Sequence, residues 1–160
     1  MVELSDDAPV IEADHALLKR VFINLVQKAL SHTARAVTIE PELVQTGNFE
    51  FSDGLECARR ILGSRSRPTA IFASNDDMAA AAACAARQMG LELPGELSIA
   101  GFDDAPGASM MWPQLATVRQ PVREIARIAA DLIIQHRPHR RGWPRPIPRP
   151  RLDLELVVRG

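Results

Sequence analysis

Apolar positions recur at helical spacing over Asp14 to Ser31. Leu17, Leu18, Val21, Phe22, Leu25, Val26, Ala29 and Leu30 share one face, and Lys19, Arg20, Asn24, Gln27 and Lys28 fall elsewhere. Val37 to Ile39 suits a short strand. Asp53 opens a predicted helix, with Glu56 three residues on as a capping box and Leu55, Ala58, Ile61 and Leu62 facing inward. A short apolar strand, Thr69 to Ala73, then runs into Ser-Asn-Asp-Asp. The helix Asp76 to Met89 follows, stopped by Gly90 and Pro94, and a second apolar strand spans Leu97 to Phe102. Val118 is expected to be extended. Pro121 suits the first turn of a helix reaching His136, with Val122, Ile125, Ala129, Leu132 and Ile133 as its apolar stripe. Leu152 to Val158 alternates and then turns wholly apolar, as a last strand that is edge-like at its start.

Strands alternating with helices imply βαβ units and a mainly parallel sheet, hence an α/β fold. Two polar clusters follow successive strands: Asn75 and Asp76 after the first, Asp103 and Asp104 after the second. The carboxyl edge of an open α/β sheet is where small ligands bind. Asn75 and Asp76 also read as helix caps, since both side chains accept hydrogen bonds from first-turn amides. An Asn amide in that place can both donate to and accept from hydroxyls, and a single carboxylate such as Asp103 can accept two hydrogen bonds from vicinal hydroxyls. Asp104 reads as a turn former. Phe49, after Gly47, is a ring that either stacks on a ligand face or packs in the core. Gln120 is a further pocket candidate, and Trp112 reads as packing.

These residues also resemble a known family. Pro68-Thr69-Ala70-Ile71-Phe72, Asn75-Asp76-x-Met78-Ala79, Gly101-Phe102-Asp103-Asp104 and Leu115-x-Thr117-Val118-x-Gln120-Pro121 occur in that order. Pro41-Glu42-Leu43-Val44, Gly47-Asn48-Phe49 and Ser52-x-Gly54 precede them, and Glu155 to Gly160 closes the series. Together they resemble the effector domain of LacI/GalR transcriptional regulators over residues 36–160. The resemblance implies a Rossmann-like lobe of a periplasmic-binding-protein-like domain that binds a sugar or nucleoside. It gives Asn75 and Asp103 contact with the effector, places Phe49 in the pocket and makes Asp76 look more like a cap. Asp76 and, at the crossover before Pro121, Gln120 are the weaker ligand candidates. It also implies a homodimer through the helix 78–89, whose alanine run offers a flat face to a second backbone. DNA contact would come from a helix-turn-helix that this sequence does not contain.

Residues 1–35 are expected to be a separate helical segment. Val10 to Asp14, Asn24-Leu25-Val26 and Ala29 to Thr33 resemble the N-box helix of histidine-kinase ATPase domains over residues 10–33, with Lys28 where that box places its metal-binding Asn. Residues 137–150 hold five prolines and five arginines in fourteen positions and must be a loop or extended linker. They read as a solvated crossing rather than a nucleic-acid contact.

Composition narrows the function classes. With 160 residues, 46% hydrophobic and 24% charged, the chain suits one globular domain, and its net charge of −1 gives no global attraction to nucleic acid or anionic membranes. No apolar run approaches the roughly 20 residues of a membrane span. The acidic N-terminus is unlike a signal peptide, so the cytoplasm is expected. Cys57 and Cys84 read as buried small hydrophobes in a reducing compartment. Catalysis and cofactors are not expected: the histidines lack metal-ligand spacing, and no Gly-x-Ser-x-Gly elbow occurs. Two alternatives stand beside the sensor reading. One is a dimerising interaction module without a ligand. The other is a Mg²⁺-dependent phosphoryl enzyme on Asp103 and Asp104, which would need a phosphate cradle that the sequence does not offer.

Overall fold

The computed structural model describes residues 40–135 and 150–159. The segment Asp14–Ser31, the strand Val37–Ile39 and the linker 137–149 lie outside the described residues. After a 3-10 turn at Pro41–Leu43, helix α1 spans Phe51–Leu62. Strand β1 (Ala70–Phe72) leads into α2 (Asp76–Gln88), and β2 (Ser98–Ala100) leads into a 3-10 turn at Pro106–Ser109. Strand β3 (Thr117–Arg119), helix α3 (Val122–Gln135) and β4 (Glu155–Val157) complete the order.

The expected mainly parallel sheet is present. Strand β1 pairs with β2 in parallel, Ile71 opposite Ile99. Parallel bridges from Ala100 to Ala116 and from Asp103 to Arg119 carry the sheet on to β3. Strand β4 adds antiparallel to β3, Leu156 opposite Val118. All three parallel strands therefore end along one carboxyl edge.

Helix α1 starts two residues before the expected Asp53, and no side chain caps it. Asp53 instead reaches back to accept the Asn48 amide (2.9 Å), and Asn48 Oδ1 accepts from Glu50 N (3.0 Å). Glu56 pairs with Arg59 one turn on (2.9 Å) rather than closing a capping box. The bonds at Asn48 and Glu50 fold the preceding loop against the helix start.

Small residues let α2 pack closely. Ala79, Ala81, Ala82, Ala83, Ala85 and Ala86 are all at most 2% exposed. Ala82, Ala85 and Ala86 meet Ala58 and Leu62 of α1 together with Leu91 and Leu97, with Ile71 and Ile99 of the sheet packed alongside. At the crossing of α1 and α2, a Cβ on Gly54 would lie 3.0 Å from the Met78 Cα, so only glycine fits there without a shift. The alanine run thus forms the interior of this lobe and not the flat exposed face expected for a partner. Asp77, Arg87 and Gln88 are the exposed positions of that helix, with Ala80 and Cys84 half-buried. Cys57 is buried and both cysteines are free thiols.

Helix α3 forms where expected, but its apolar stripe is largely uncovered: Val122, Ile125, Ile133 and Ile134 are 40–63% exposed. Trp112, expected to pack, is 85% exposed. These contrasts set a stability test. Ala85→Leu should destabilise by about 2 kcal/mol through overpacking, whereas Ile134→Ala should stay within about 0.5 kcal/mol of the parent. Urea denaturation followed by circular dichroism reads both.

Candidate effector site at the carboxyl edge of the sheet

Asn75 leaves β1 in extended conformation and becomes the N-cap of α2, its Oδ1 accepting from Met78 N at 2.9 Å. Its Nδ2 donates to the Phe49 carbonyl at 2.9 Å, which ties the loop before α1 to the same edge. Phe49 sits in a left-handed backbone (φ 70°) and is 60% exposed. The core alternative for that ring is therefore not what the chain adopts.

Asp76, the next residue, is 5% exposed and holds the edge together. Its Oδ1 accepts from Thr117 Oγ1 (2.6 Å) and its Oδ2 from Ala105 N (2.7 Å). Both oxygens are thus engaged inside the protein, which makes Asp76 a structural centre and leaves it poorly placed to meet a ligand. Its acidic side chain also suits the positive end of α2. Gly101 is required beside it, since a Cβ there would collide with Asp76 Oδ1. Thr117 is fully buried, and the sequence carries no local sign of its role because its partner lies 41 residues away.

The two adjacent aspartates after β2 part company. Both have positive φ, 113° at Asp103 and 57° at Asp104. Asp103 N donates to the Val118 carbonyl (2.9 Å), and its Oδ1 accepts from Gln120 Nε2 (2.6 Å). Among the described residues Oδ2 makes no hydrogen bond. Burial raises the Asp103 carboxyl above the ordinary carboxylate range, the Gln120 hydrogen bond offsets part of this, and the charges of Asp76 and Asp77 add to the rise.

Asp104 does more than form a turn. Its Oδ2 accepts from Arg119 Nε (2.6 Å) and its Oδ1 from Arg159 Nη2 (2.7 Å). Arg119 also meets Glu155 (2.7 Å), and Arg159 donates to the Leu115 carbonyl (3.1 Å). The Arg119 hydrogen bond is the largest influence on the Asp104 carboxyl and outweighs its desolvation. The Arg159 hydrogen bond and the two guanidinium charges add to it and hold the carboxyl below its ordinary range. The carboxylate pair does not converge on a shared cation position, because one member faces an amide and the other two guanidiniums.

Phe49, Asn75, Asp103 and Gln120 thus stand along the carboxyl edge in two hydrogen-bonded pairs, while Asp76 lies beneath them. Fold and polar edge together are those of a single α/β lobe. Residues 16–160 match the periplasmic-binding-protein-like domain family. The match begins inside the N-terminal segment and crosses the boundary expected at residue 36. The HTH-type transcriptional repressor PurR of Haemophilus influenzae is 34% identical over 123 residues, covering 77% of this chain and 37% of that protein. A putative LacI-family regulator from Sanguibacter keddieii superposes with a TM-score of 0.72 at 26% identity, over 99% of this chain and 56% of that one. A sugar-binding LacI-family regulator from Escherichia coli, solved with phosphate, gives 0.64 at 26% identity over 95% and 51%. The chain belongs to the periplasmic-binding-protein-like domain family and is an effector-binding domain of the LacI/GalR kind. It spans little more than a third of the length of the Haemophilus repressor.

Two outcomes test this arrangement. Asp76→Ala should cost about 3 kcal/mol and Thr117→Val about 1–2 kcal/mol, since each strands a buried polar partner. Both are read as a loss of stability in chemical denaturation. For Asp104, folding lowers the carboxyl pKa, so its contribution is full above the unfolded value near 4 and is lost as pH falls through the folded value. The stability gap between the parent and Asp104→Asn should therefore be largest near neutrality and shrink below about pH 4 in melts taken across that range.

Proposed function

We propose that this chain senses a sugar or nucleoside effector for a LacI/GalR-type transcription repressor in the cytoplasm. Asp103 is the principal contact in this reading. The observation that carries it is a carboxylate at the carboxyl edge with one oxygen bonded to Gln120 and desolvation only partly compensated. Vicinal hydroxyls supply the donors that such a group lacks. Gln120 orients it, the remaining amide hydrogen of Asn75 is a donor toward the ligand, and the exposed Phe49 ring stacks on the ligand face. The sugar-binding Escherichia coli regulator supports the ligand class.

The role is regulatory rather than catalytic. Binding would shift the lobe against the rest of a longer regulator, with DNA read by a separate helix-turn-helix. Among the described residues no helix is long and apolar enough to cross a membrane. A homodimer through α2 would have to use the outer stripe of Asp77, Ala80, Cys84 and Gln88, because the other alanines of the helix are buried inside.

The test is a thermal-unfolding screen against monosaccharides, disaccharides and nucleosides. A ligand at about 100 times its dissociation constant should add roughly 2.7 kcal/mol, a rise of some degrees. Asp103→Asn should abolish that rise while leaving the unliganded melt at pH 7 unchanged or slightly higher, because it removes a carboxylate whose raised pKa disfavours folding above that pKa. A panel that moves nothing would count against the sensor reading and favour a ligand-free interaction module.

A further inference from the structure

The turn that ends β2 has two consecutive non-glycine residues in left-handed backbone, Asp103 and Asp104. Such a conformation persists only where its surroundings over-determine it. Upstream, Gly101 and Asp103 donate their amides to the Ala116 and Val118 carbonyls of the neighbouring strand (both 2.9 Å). Downstream, Ala105 N is held by Asp76. Between these anchors, Asp104 N donates a long hydrogen bond to Thr117 Oγ1 (3.4 Å), and the shorter contacts are those of the Asp104 side chain with Arg119 (2.6 Å) and Arg159 (2.7 Å).

We propose that Asp104 is a positioning residue for the effector site: its carboxylate, gripped by Arg119 and Arg159, fixes the turn that presents Asp103 to Gln120 and to a ligand. The inference rests on Asp103 and Gln120 being effector contacts. Neighbouring residues at a strand end face opposite ways. Arg119 and Gln120 are such neighbours, and each takes one of two neighbouring aspartates at 2.6 Å. The pairing has an alternative. Were the turn to slip so that Asp104 met Gln120, Asp103 would fall to Arg119, and its free oxygen would be consumed by a guanidinium instead of being offered to a ligand.

Arg159 decides between the two pairings. It arrives after β4, is only 16% exposed in its side chain, and is pinned by a second bond to the Leu115 carbonyl. It reaches Asp104 from 55 residues away. With one carboxyl oxygen committed to Arg159 and the other to Arg119, Asp104 cannot exchange places with Asp103. The antiparallel return strand therefore sets the aim of an effector carboxylate that it does not touch.

The test needs no effector, so its failure and the failure of the ligand panel are separate results. In the 15N-labelled 160-residue chain, the Gln120 side-chain amide pair is assigned by its disappearance in Gln120→Ala. The proton donated to Asp103 should lie downfield and exchange slowly. In Asp104→Asn the pair should move to the position of a solvated glutamine and exchange about tenfold faster, while the backbone amides of α2 keep their dispersion. Glu155→Gln frees only the exposed outer end of Arg119 and should leave the Gln120 signal in place. An unchanged Gln120 pair in folded Asp104→Asn overturns the proposal, and so does an equal shift in Glu155→Gln, which would mark general loosening. Should Asp104→Asn fail to fold, Arg159→Gln removes a single arm: a smaller shift in the same direction supports the proposal, and no shift overturns it.

Discussion

One buried carboxylate holds this lobe together. Asp76 begins α2, yet its oxygens are spent on the Thr117 hydroxyl and the Ala105 amide, which belong to β3 and to the turn after β2. A charge this deep is tolerated because each oxygen accepts a short hydrogen bond and the helix N-terminus lies behind it. The consequence is geometric. The start of α2, the exit of β2 and the start of β3 meet at this one side chain, which adds to the backbone bonds between the strands, and the polar edge is built on that frame. Gly101 belongs to the same constraint, since the carboxylate occupies the space that any larger residue would need.

On that frame the chain separates two chemically identical neighbours. Asp104 is neutralised by two arginines and has become structure, whereas Asp103, in a partly desolvated setting, keeps one oxygen that makes no hydrogen bond among the described residues. Successive positive φ values make the separation possible. Backbone strain of this kind persists because the surrounding contacts hold it.

Packing and exposure divide in a similar way. The alanines of α2 disappear between α1 and the sheet, and close approach at Gly54 completes that layer. Helix α3 instead carries isoleucine and valine side chains into solvent. Its amphipathic pattern is that of an element made to be covered, and the chain spans only about half the length of the solved regulators that it matches.

Much of this was legible in the sequence, for local reasons. Element order, the β1-α2-β2 unit and the edge position of the last strand follow from periodicity and from stop signals such as Gly90, which act within a few residues. The ordered motifs from Pro68 to Pro121 sufficed to indicate the family and to place Asn75, Asp103 and Gln120 on one edge. Errors arose where partners lie outside the element. At the start of α1, Asp53 accepts the Asn48 amide instead of closing a capping box. The alanine run carries no sign of whether a neighbour within the chain or a second chain will cover it. Asp76 and Asp104 read locally as cap and turn, and only contacts 41 and 55 residues distant made one a buried linchpin and the other a salt-bridged anchor. The sequence by itself determined which groups stand at the sheet edge, because secondary structure and its ends are local properties. Which aspartate keeps a free oxygen was decided only by the tertiary structure, because that depends on where Thr117, Arg119 and Arg159 arrive once the strands have paired.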